Sequence, residues 1–360
     1  MKRILFIVTG LDTGGIEIYL LRFIKYVECS IEVTVLCKSG KTGCLEDDYI
    51  KANAKIVPFK IGSCNIQEWH NFYRFLKNGR FDTVCDFTGT FAAIPLTCAK
   101  VAGVKRRLSF YRQSKYQFGS SFYKFLYTFF MRKLLVFSST KILSNSKTAL
   151  NNFHEGWGGS KKFGVVYNGV PEILINMEQS KCLRRKFLIP EGAVVVGNVG
   201  RYAKAKNHER MIGAAAKVCK ENSNIYFFFC GRGVANNLTT VINGFEKQII
   251  LSENRTDIGT MLGMFDMFLF CSLDEGQPNA LIEAMFANLP IVASNIASIK
   301  ECIPRELHAK LVDPLSVAEI EEKILDYTNN KQAVAVEYDW LNNRFNLEEN
   351  FSRFLKELVV

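Results

Sequence analysis

Short apolar runs, each bounded by polar or glycine-containing segments, recur along the chain. Such runs are typical of strands that are buried on both faces, as in a parallel sheet covered by helices. Stretches of helical spacing separate several of them, so the pattern predicts strand–helix units and an α/β fold. The predicted strands are residues 3–9, 32–37, 83–86, 106–109, 141–144, 164–167, 194–199, 225–230, 266–271 and 291–294.

The most informative of these units covers residues 266–294. A polar, glycine-containing loop follows its first strand, then Pro278 suits a helix entry and Asn279 is a good N-cap. From Ala280 the apolar spacing becomes helical, and Pro290 ends the helix before the next strand. The helix N-terminus is therefore predicted to face the carboxyl edge of a parallel sheet. Free N–H groups and the helix dipole favour an anion such as phosphate at that position.

Two glutamates flank this predicted anion site. Glu275 lies in the loop, and Glu283 follows eight positions later, near the start of the helix. A phosphate-binding helix N-terminus with two carboxylates suits a ligand that carries both phosphate and sugar hydroxyls. The alternative is that Glu283 only complements the helix N-terminus and that Glu275 is a solvated loop residue. The two residues alone do not decide between these interpretations.

The length and composition are those of a globular protein. With 360 residues, the chain is long enough for two domains with separate cores. No apolar run reaches the roughly 18 residues that a membrane-spanning helix needs. The apolar segment after Met1-Lys2-Arg3 is too short for a signal peptide, so we expect no export. The 11 cysteines are scattered without a C-x-x-C pair, which favours reduced thiols over disulfides or a zinc site.

The net charge is unevenly distributed. The whole chain carries +11, but residues 1–170 hold 25 Lys and Arg against 11 Asp and Glu, a net charge of +14. Residues 171–360 hold 21 against 24, a net charge of −3. A strongly basic half indicates an acidic partner, which is nucleic acid, anionic lipid or a phosphorylated substrate.

The segment 116–137 interleaves aromatic and basic residues. A helix of this composition is typical of interfacial membrane helices, so it predicts docking on an anionic membrane through the basic N-terminal half. A core helix with a few exposed lysines is the alternative. RNA binding is a third, although the sequence shows no nucleic-acid-binding module. The aromatic and apolar residues are Phe118, Phe122, Tyr123, Phe125, Leu126, Tyr127, Phe129, Phe130, Met131, Leu134 and Leu135, and the basic ones are Lys115, Lys124, Arg132 and Lys133.

The stretch from Glu275 to Glu283 resembles the E-x7-E motif of retaining glycosyltransferases of family 4, of the polysaccharide-biosynthesis type. Weaker similarities to that family occur in the expected order, so the resemblance spans most of the chain. They are Gly14-Gly15-Ile16-Glu17, Asn168-Gly169-Val170, Gly200-Arg201, Lys206-Asn207-His208 and Pro290-Ile291-Val292-Ala293-Ser294.

The resemblance implies the GT-B architecture, an α/β fold in which two Rossmann-like domains with parallel sheets face a central cleft. It assigns residues 1–170 to an N-terminal acceptor domain and residues 191–340 to a C-terminal nucleotide-sugar donor domain. Residues 171–190 are then a linker with a short basic helix at 183–187. Residues 341–360 are expected to form a helix that crosses back onto the first domain.

The implied activity is transfer of a sugar from a nucleotide-sugar donor to a hydroxyl acceptor with retained anomeric configuration. By resemblance, Glu283 holds the donor ribose, and Glu275 contacts sugar hydroxyls as a catalytic candidate. Arg201 and Lys206 are the other catalytic candidates, because fixed cations stabilise a departing diphosphate. The chain has no Asp-x-Asp sequence, which fits an enzyme without metal or cofactor. The other candidate donor-binding residues are Gly14, Gly15, Arg255, Gly276, Gln277, Asn279, Ala280 and Leu281.

The acceptor side has fewer sequence signals. Asp86 and Arg112 are candidates, because each lies near the end of a predicted strand at the carboxyl edge of the first sheet. Many relatives place a histidine near Arg112, and this chain has none there. The basic, aromatic first domain suggests a glycan or polyprenyl-linked acceptor and a cell-surface polysaccharide as the product. We expect a cytoplasmic protein that is peripheral on the inner face of the cell membrane and binds no nucleic acid.

Three other functions stay open on the sequence. A nucleotide-sugar epimerase shares the architecture, and a catalytically silent partner subunit would only bind nucleotide-sugar or membrane. The presence of Arg201, Lys206 and both glutamates argues against a silent subunit. A basic nucleic-acid-binding protein is the third alternative.

Overall fold

The chain divides into two compact units in the computed structural model. The first unit combines Met1–Gly169 with Leu347–Val360, and the second is the continuous segment Val170–Asn346. The structure describes residues 1–28, 30–62, 65–112, 122–330 and 335–360, with the backbone alone for Phe122, Lys124, Asn329 and Asn330.

Strands and helices alternate along the first unit, because short apolar runs alternate with amphipathic segments. Its strands are β1 (Lys2–Val8), β2 (Ile31–Cys37), β3 (Lys55–Pro58), β4 (Thr83–Asp86), β5 (Arg106–Tyr111), β6 (Lys141–Ser144) and β7 (Phe163–Val165). Its helices are α1 (Gly15–Tyr26), α2 (Glu46–Lys51), α3 (Ile66–Gly79), α4 (Ala93–Val101), α5 (Phe122–Ser138) and α6 (Lys147–Phe153), with a 3₁₀ turn at Gly89–Ala92.

The second unit repeats this alternation. Its strands are β8 (Val194–Val199), β9 (Ile225–Cys230), β10 (Ile249–Ser252), β11 (Met267–Phe270) and β12 (Ile291–Ala293). Its helices are α7 (Met177–Lys186), α8 (His208–Glu221), α9 (Val234–Leu238), α10 (Ile258–Leu262), α11 (Asn279–Phe286), α12 (Ala297–Lys300), α13 (Val317–Asn330) and α14 (Tyr338–Phe345), with 3₁₀ turns at Lys204–Lys206 and Arg305–Lys310. After them, α15 (Leu347–Val359) belongs to the first unit.

The first unit is built on a parallel sheet in the order β3-β2-β1-β4-β5-β6-β7. Its central strand β1 is buried on both faces, because Ile4, Phe6 and Val8 lie in one core layer and Leu5 and Ile7 lie in the other. The strand order reverses between β1 and β4, and ligands of such sheets bind at the carboxyl edge where this reversal occurs.

The second unit is built on a parallel sheet in the order β10-β9-β8-β11-β12. Strands β8 and β11 are neighbours, with Val196 opposite Met267 and Gly197 opposite Phe268. The strand order reverses between these two strands. The loops that follow β8 and β11 therefore emerge side by side at the carboxyl edge.

Helix α15 completes the core of the first unit. Phe351, Phe354 and Leu358 are fully buried. The ring of Phe354 lies at the centre of an aromatic cluster, with its centroid 4.6 Å from that of Phe23 and 5.1 Å from that of Phe110. Burial of three large apolar side chains from one helix supplies several kcal/mol of hydrophobic stabilisation, about 1.5–3 for each.

Polar contacts fix the position of α15 on the sheet. The hydroxyl of Thr83 donates to the carbonyl of Leu358 at 2.8 Å. The carboxylate of Glu357 lies 3.0 Å from Lys141 Nζ and 3.5 Å from Arg106 Nη2. These contacts join strands β4, β5 and β6 to a helix more than 200 residues away in sequence.

The α/β class with two parallel sheets is confirmed, but the segment 171–190 differs from the expected linker with a short helix at 183–187. Helix α7 occupies ten residues of it and buries Leu183. Arg184 Nη2 lies 2.7 Å from Asp266 Oδ2, whose carboxylate also accepts the N–H of Val195 at 2.7 Å. The basic helix was predicted from charge, whereas its full length is seen only in the structure, where Asp266 joins it to the start of β8.

Two further differences concern a helix that is divided in two and two strands that were not predicted. The tail expected as one helix over 341–360 is two helices, because Asn346 is non-helical at φ −51° and ψ 129°. Strands β3 and β10 escaped the sequence analysis, since they are four-residue edge strands with partly exposed side chains. Their short, mixed sequences carry little of the signal of a buried strand.

Replacing Phe354 with Ala should destabilise the first unit by about 3–5 kcal/mol, because a large buried ring is lost from its core. Arg353→Ala is the matched control, since that side chain is 58% exposed, and should cost less than about 0.5 kcal/mol. Hydrogen exchange of first-unit amides, measured by mass spectrometry, reports the difference. Equal protection in both variants would contradict the role assigned to α15.

Candidate functional site

The loop after β8 holds Lys206 in a fixed position. Lys206 ends a 3₁₀ turn, in which its N–H donates to the carbonyl of Ala203 at 2.8 Å. Asn207 follows in the left-handed region at φ 60°, a conformation that asparagine tolerates better than most residues. The Asn207 side-chain amide donates to the carbonyls of Cys271 at 3.0 Å and Pro314 at 2.7 Å. This clamp sets the point from which the Lys206 side chain leaves the backbone.

Lys206 pairs directly with Glu275. The distance from Nζ to Oε1 is 2.6 Å, and the side chains are 23% and 9% exposed. The backbone supports the pair, because the N–H of Leu273 donates to the carbonyl of Ala205 at 2.8 Å. Two of the three predicted catalytic side chains therefore meet where the strand order of the second sheet reverses.

Helix α11 presents its N-terminus without a side-chain cap. The N-cap is Pro278, whereas Asn279 was expected there, because the helix begins one residue earlier than predicted. Proline has no side-chain oxygen that could accept the first N–H groups, and those groups have no intrahelical acceptor. Leu281 is fully buried and apolar, so its side chain offers no polar group to a ligand. The same restriction applies to Ala280, whose side chain is a methyl group.

Glu283 and Gln277 are enclosed in the protein beside this helix end. Glu283 is 8% exposed and lies in the second turn of α11, and Gln277 is 7% exposed and precedes the helix. Gly276, between Glu275 and Gln277, is partly exposed. Burial of a carboxylate is costly unless it is compensated. The position of Glu283 near a helix N-terminus gives it part of that compensation.

Glycines allow the loops after β8 and β9 to approach closely. A Cβ atom on Gly231 would lie 2.1 Å from the carbonyl oxygen of Gly200, so a larger residue does not fit. The N–H of Gly200 donates to the carbonyl of Cys230 at 2.9 Å, which fixes the start of the loop. Arg201 follows directly and is exposed. The structure therefore places Arg201 and Lys206 on one short, braced loop.

Arg255 is bound to Asp257. Its Nε and Nη2 atoms donate to the two carboxylate oxygens at 2.8 Å and 2.5 Å. This bidentate bond raises the pKa of Arg255 and lowers the pKa of Asp257. A donor that binds Arg255 must share or replace this bond, and the role of Arg255 in donor binding stays a prediction.

Gly14 and Gly15 form the start of α1. Gly14 is the N-cap in extended conformation, and a Cβ atom on it would lie 2.3 Å from a carboxylate oxygen of Glu17. Glu17 thus folds back over the helix start, as in a capping box. The predicted donor contact of Gly14 and Gly15 stays a prediction.

Asp86 is fully buried at the end of β4. Its Oδ1 atom accepts hydrogen bonds from the N–H of Thr88 at 2.7 Å and from the Thr88 hydroxyl at 2.6 Å. The Lys38 ammonium donates to the same hydroxyl at 3.2 Å and to the carbonyl of Phe91 at 2.8 Å. Burial raises the pKa of Asp86 and lowers the pKa of Lys38, and each charge opposes the shift of the other.

Asp86 therefore orders the turn after β4, and its direct contact with an acceptor stays a prediction. Sequence reasoning missed Lys38. The sequence offered one indication of its role, which is that Lys38 directly follows the apolar strand β2. It therefore lies at the carboxyl edge of the sheet, where ligands of such folds bind.

Arg112 follows β5 and is half-buried. Its guanidinium carbon lies 3.6 Å from the ring centroid of Tyr19, a cation–π contact with a residue of α1. Within the described part of the chain, its Nη1 atom is buried without a hydrogen-bond partner. Burial lowers the pKa of Arg112 to about 10, so the side chain is still a cation at neutral pH. Its neighbour Gln113 lies outside the described residues.

Helix α5 exposes a row of large apolar side chains, the α5 stripe, consisting of Tyr123, Leu126, Phe130 and Phe137. Their spacing of three, four and seven residues places them on one helix face. Lys133 lies on the same face by spacing, with Nζ 4.5 Å from the ring centroid of Phe129. The predicted core alternative is therefore wrong for this face of α5.

Other residues of that segment have different positions. Arg132 donates to the carbonyl of Phe153 at 3.0 Å, so it joins α5 to α6. Lys115, Tyr116 and Phe118 lie outside the described residues. In the ranges described, no helix combines the length and apolar content needed to cross a bilayer. The same ranges contain no cluster of three or more His, Cys, Asp or Glu side chains arranged for a metal ion.

Known proteins share the fold of this chain. HepE of Anabaena, in a crystal structure with UDP-glucose, superposes with a TM-score of 0.81 at 17% sequence identity, covering 99% of this chain and 100% of HepE. The family described as glycosyl transferases group 1 matches residues 179–340. The protein is a glycosyltransferase with the GT-B fold. The part of the chain that is similar to the glycosyl transferases group 1 family carries Arg201, Lys206, Glu275 and Glu283.

Two curated relatives are informative. The capsular polysaccharide biosynthesis glycosyltransferase CapH of Staphylococcus aureus is 25% identical over 319 residues, which cover 84% of this chain and 83% of CapH. The UDP-Gal:alpha-D-GlcNAc-diphosphoundecaprenol alpha-1,3-galactosyltransferase of Escherichia coli is 27% identical over 212 residues. That alignment covers 55% of this chain and 54% of the Escherichia coli enzyme.

His208 gives the site a testable pH dependence. It is fully buried, and burial lowers its pKa to about 4, against about 6.5 in an unfolded chain. Because the unfolded state binds this proton first, the free energy of unfolding should fall as the pH decreases from about 6.5 to about 4. In His208→Gln the free energy of unfolding should depend less steeply on pH over this range, and the difference in slope should correspond to at most one proton. Exposed His70 supplies the control variant His70→Gln, and equal slopes in both variants would contradict a neutral, buried His208.

Proposed function

We propose that this glycosyltransferase moves a sugar from a nucleotide-sugar donor to a hydroxyl acceptor, with retention of anomeric configuration, during synthesis of a cell-surface polysaccharide. The observation that carries the proposal is the meeting of Lys206 and Glu275 beside the uncapped N-terminus of α11. The name of CapH, a capsular polysaccharide biosynthesis enzyme, supports the product class. The complex of HepE with UDP-glucose supports a nucleotide-sugar donor.

The second unit supplies the donor site in this proposal. The backbone N–H groups of Ala280 and Leu281 bind the β-phosphate, as helix N-termini bind anions. Arg201 grips the diphosphate bidentately and Lys206 adds a point charge. Glu283 binds the ribose hydroxyls, and Glu275 binds hydroxyls of the transferred sugar.

The transfer step needs positive charge at the diphosphate and no metal ion. As the bond between the anomeric carbon and the β-phosphate oxygen breaks, negative charge grows on that oxygen, and Arg201 and Lys206 stabilise it. The acceptor oxygen attacks from the same side of the sugar. Its proton passes to the departing phosphate oxygen, so the products are the glycoside and the nucleoside diphosphate. No protein nucleophile takes part.

The first unit supplies the acceptor side. Arg112 is the candidate that can meet an acceptor directly, because it is half-buried and one of its terminal nitrogens has no protein partner among the described residues. Asp86 contributes indirectly, because it orders the turn after β4. A lipid-linked acceptor fits the α5 stripe, because its apolar side chains, with Lys133 on the same helix face, suit the cytoplasmic face of an anionic membrane. The Escherichia coli relative is named for an undecaprenol-linked acceptor.

Nucleotide binding tests the donor site first. UDP, GDP and ADP are compared, with CMP as a monophosphate reference. One of the three diphosphates should raise the thermal midpoint of the protein more than the others, both with and without EDTA. Lys206→Met should abolish this shift and reduce sugar transfer by about 100-fold or more, because a fixed cation is lost at the diphosphate. Lys204→Met is the matched control, since Lys204 is exposed in the same 3₁₀ turn. Near-normal transfer by Lys206→Met would refute its role.

The α5 stripe is tested by vesicle sedimentation. The double variant Tyr123→Ser and Phe130→Ser should bind phosphatidylglycerol vesicles at least tenfold more weakly. Each aromatic ring that enters the membrane interface contributes about 1.5–3 kcal/mol to binding. Ile66→Ser on α3 is the control, since Ile66 is exposed elsewhere on the first unit. Vesicle binding that is unchanged in the double variant would exclude α5 as the docking surface. Arg132 is left intact because it holds α6.

A further inference from the structure

Lys206 and Glu275 neutralise each other in the structure. Their 2.6 Å contact uses the charge that the proposed donor site needs, and Glu275 is only 9% exposed. Lys206 Nζ also lies 5.3 Å from the ring centroid of Phe270, so one side of the ammonium faces an apolar ring. With these neighbours, the charge of the ammonium is compensated by the protein itself.

A diphosphate that binds beside this pair is repelled by the carboxylate of Glu275. Two negative groups in close contact repel each other strongly at the effective dielectric constant of a protein surface. A ligand that takes Lys206 while Glu275 stays in place therefore has a carboxylate next to its phosphates. This repulsion is removed only if Glu275 moves to another partner.

We propose that Glu275 is the counter-ion of Lys206 only while the donor site is empty, and that Lys206 exchanges it for the diphosphate when donor binds. This inference rests on the proposed function. The released Glu275 then accepts hydrogen bonds from hydroxyls of the donor sugar. One ion pair thus links recognition of the diphosphate to recognition of the sugar.

The backbone around the pair suits an exchange by side chains alone. The 3₁₀ turn, the Asn207 clamp and the bond from Leu273 to Ala205 fix both loops. Lysine carries its charge on a flexible four-carbon stem, which can change partner without moving the backbone. Gly200 packs against this stem, since a Cβ atom on it would lie 3.7 Å from Lys206 Cδ.

The exchange makes the site prefer an intact donor over the nucleoside diphosphate product. An intact donor offers sugar hydroxyls to the displaced carboxylate. The product offers none, so Glu275 is left without a partner at low exposure, which is unfavourable. Product is therefore released more readily than its phosphate contacts alone predict.

The inference predicts an unusual result for Glu275→Gln. This variant should bind UDP and inorganic pyrophosphate about tenfold more tightly than the wild type in isothermal titration calorimetry with EDTA, because Lys206 is freed and the repulsion is lost. The gain should disappear in the double variant Glu275→Gln with Lys206→Met. Asp274→Asn is the matched control, since it removes the same charge one position away, and its affinity should equal that of the wild type.

Equal or weaker binding of both ligands by Glu275→Gln would overturn the exchange. Glu275→Ala, which also removes the carboxylate, provides a second test if the Gln variant has a lowered thermal midpoint. Failure of the proposed function gives a different result, in which wild-type protein binds neither UDP nor any other nucleoside diphosphate. If pyrophosphate also binds to none of the variants, the exchange is overturned as well.

Discussion

The parallel pairing of β8 with β11 determines where the chemistry of the second unit lies. Both strands run in the same direction, so their loops leave the same edge of the sheet. The strand order reverses between them, so their connecting helices lie on opposite faces and leave this edge open. Lys206 from one loop and Glu275 from the other can meet only because of this register. The Asn207 clamp and the hydrogen bond from the N–H of Leu273 to the carbonyl of Ala205 hold the two loops in place once they are adjacent.

The same topology in the first unit gives a different electrostatic arrangement. The charges of Asp86 and Lys38 lie inside the protein and both contact Thr88, so they stabilise a turn. Arg112 is the exception, because it rests on the ring of Tyr19. One of the two similar sheets therefore carries a largely enclosed ion pair at its edge, and the other carries a polar cluster that orders a turn.

Much of the fold follows from the sequence, since strands such as β4, β6, β8 and β9 have the bounds that their apolar runs predict. The spacing of Glu275 and Glu283 also placed the correct loop and helix at the sheet edge. The sequence analysis could not predict which charged side chains form ion pairs, because pairing depends on three-dimensional distance. Nothing in the spacing of Lys206 and Glu275, or of Arg255 and Asp257, distinguishes a paired charge from an unpaired one. Edge strands and the α7 packing were missed because tertiary contacts, and not local pattern, stabilise them.

The composition of the first unit from two separate stretches of chain has a consequence for biosynthesis. Residues 347–360 are translated after the whole second unit, yet they supply Phe351, Phe354 and Leu358 to the first core. On the ribosome, the sheet of the first unit therefore emerges long before the helix that covers it, and its apolar face stays uncovered while about half of the chain is made. The continuous second unit has all its parts available in one stretch, so it can reach its final form before the unit that precedes it in sequence.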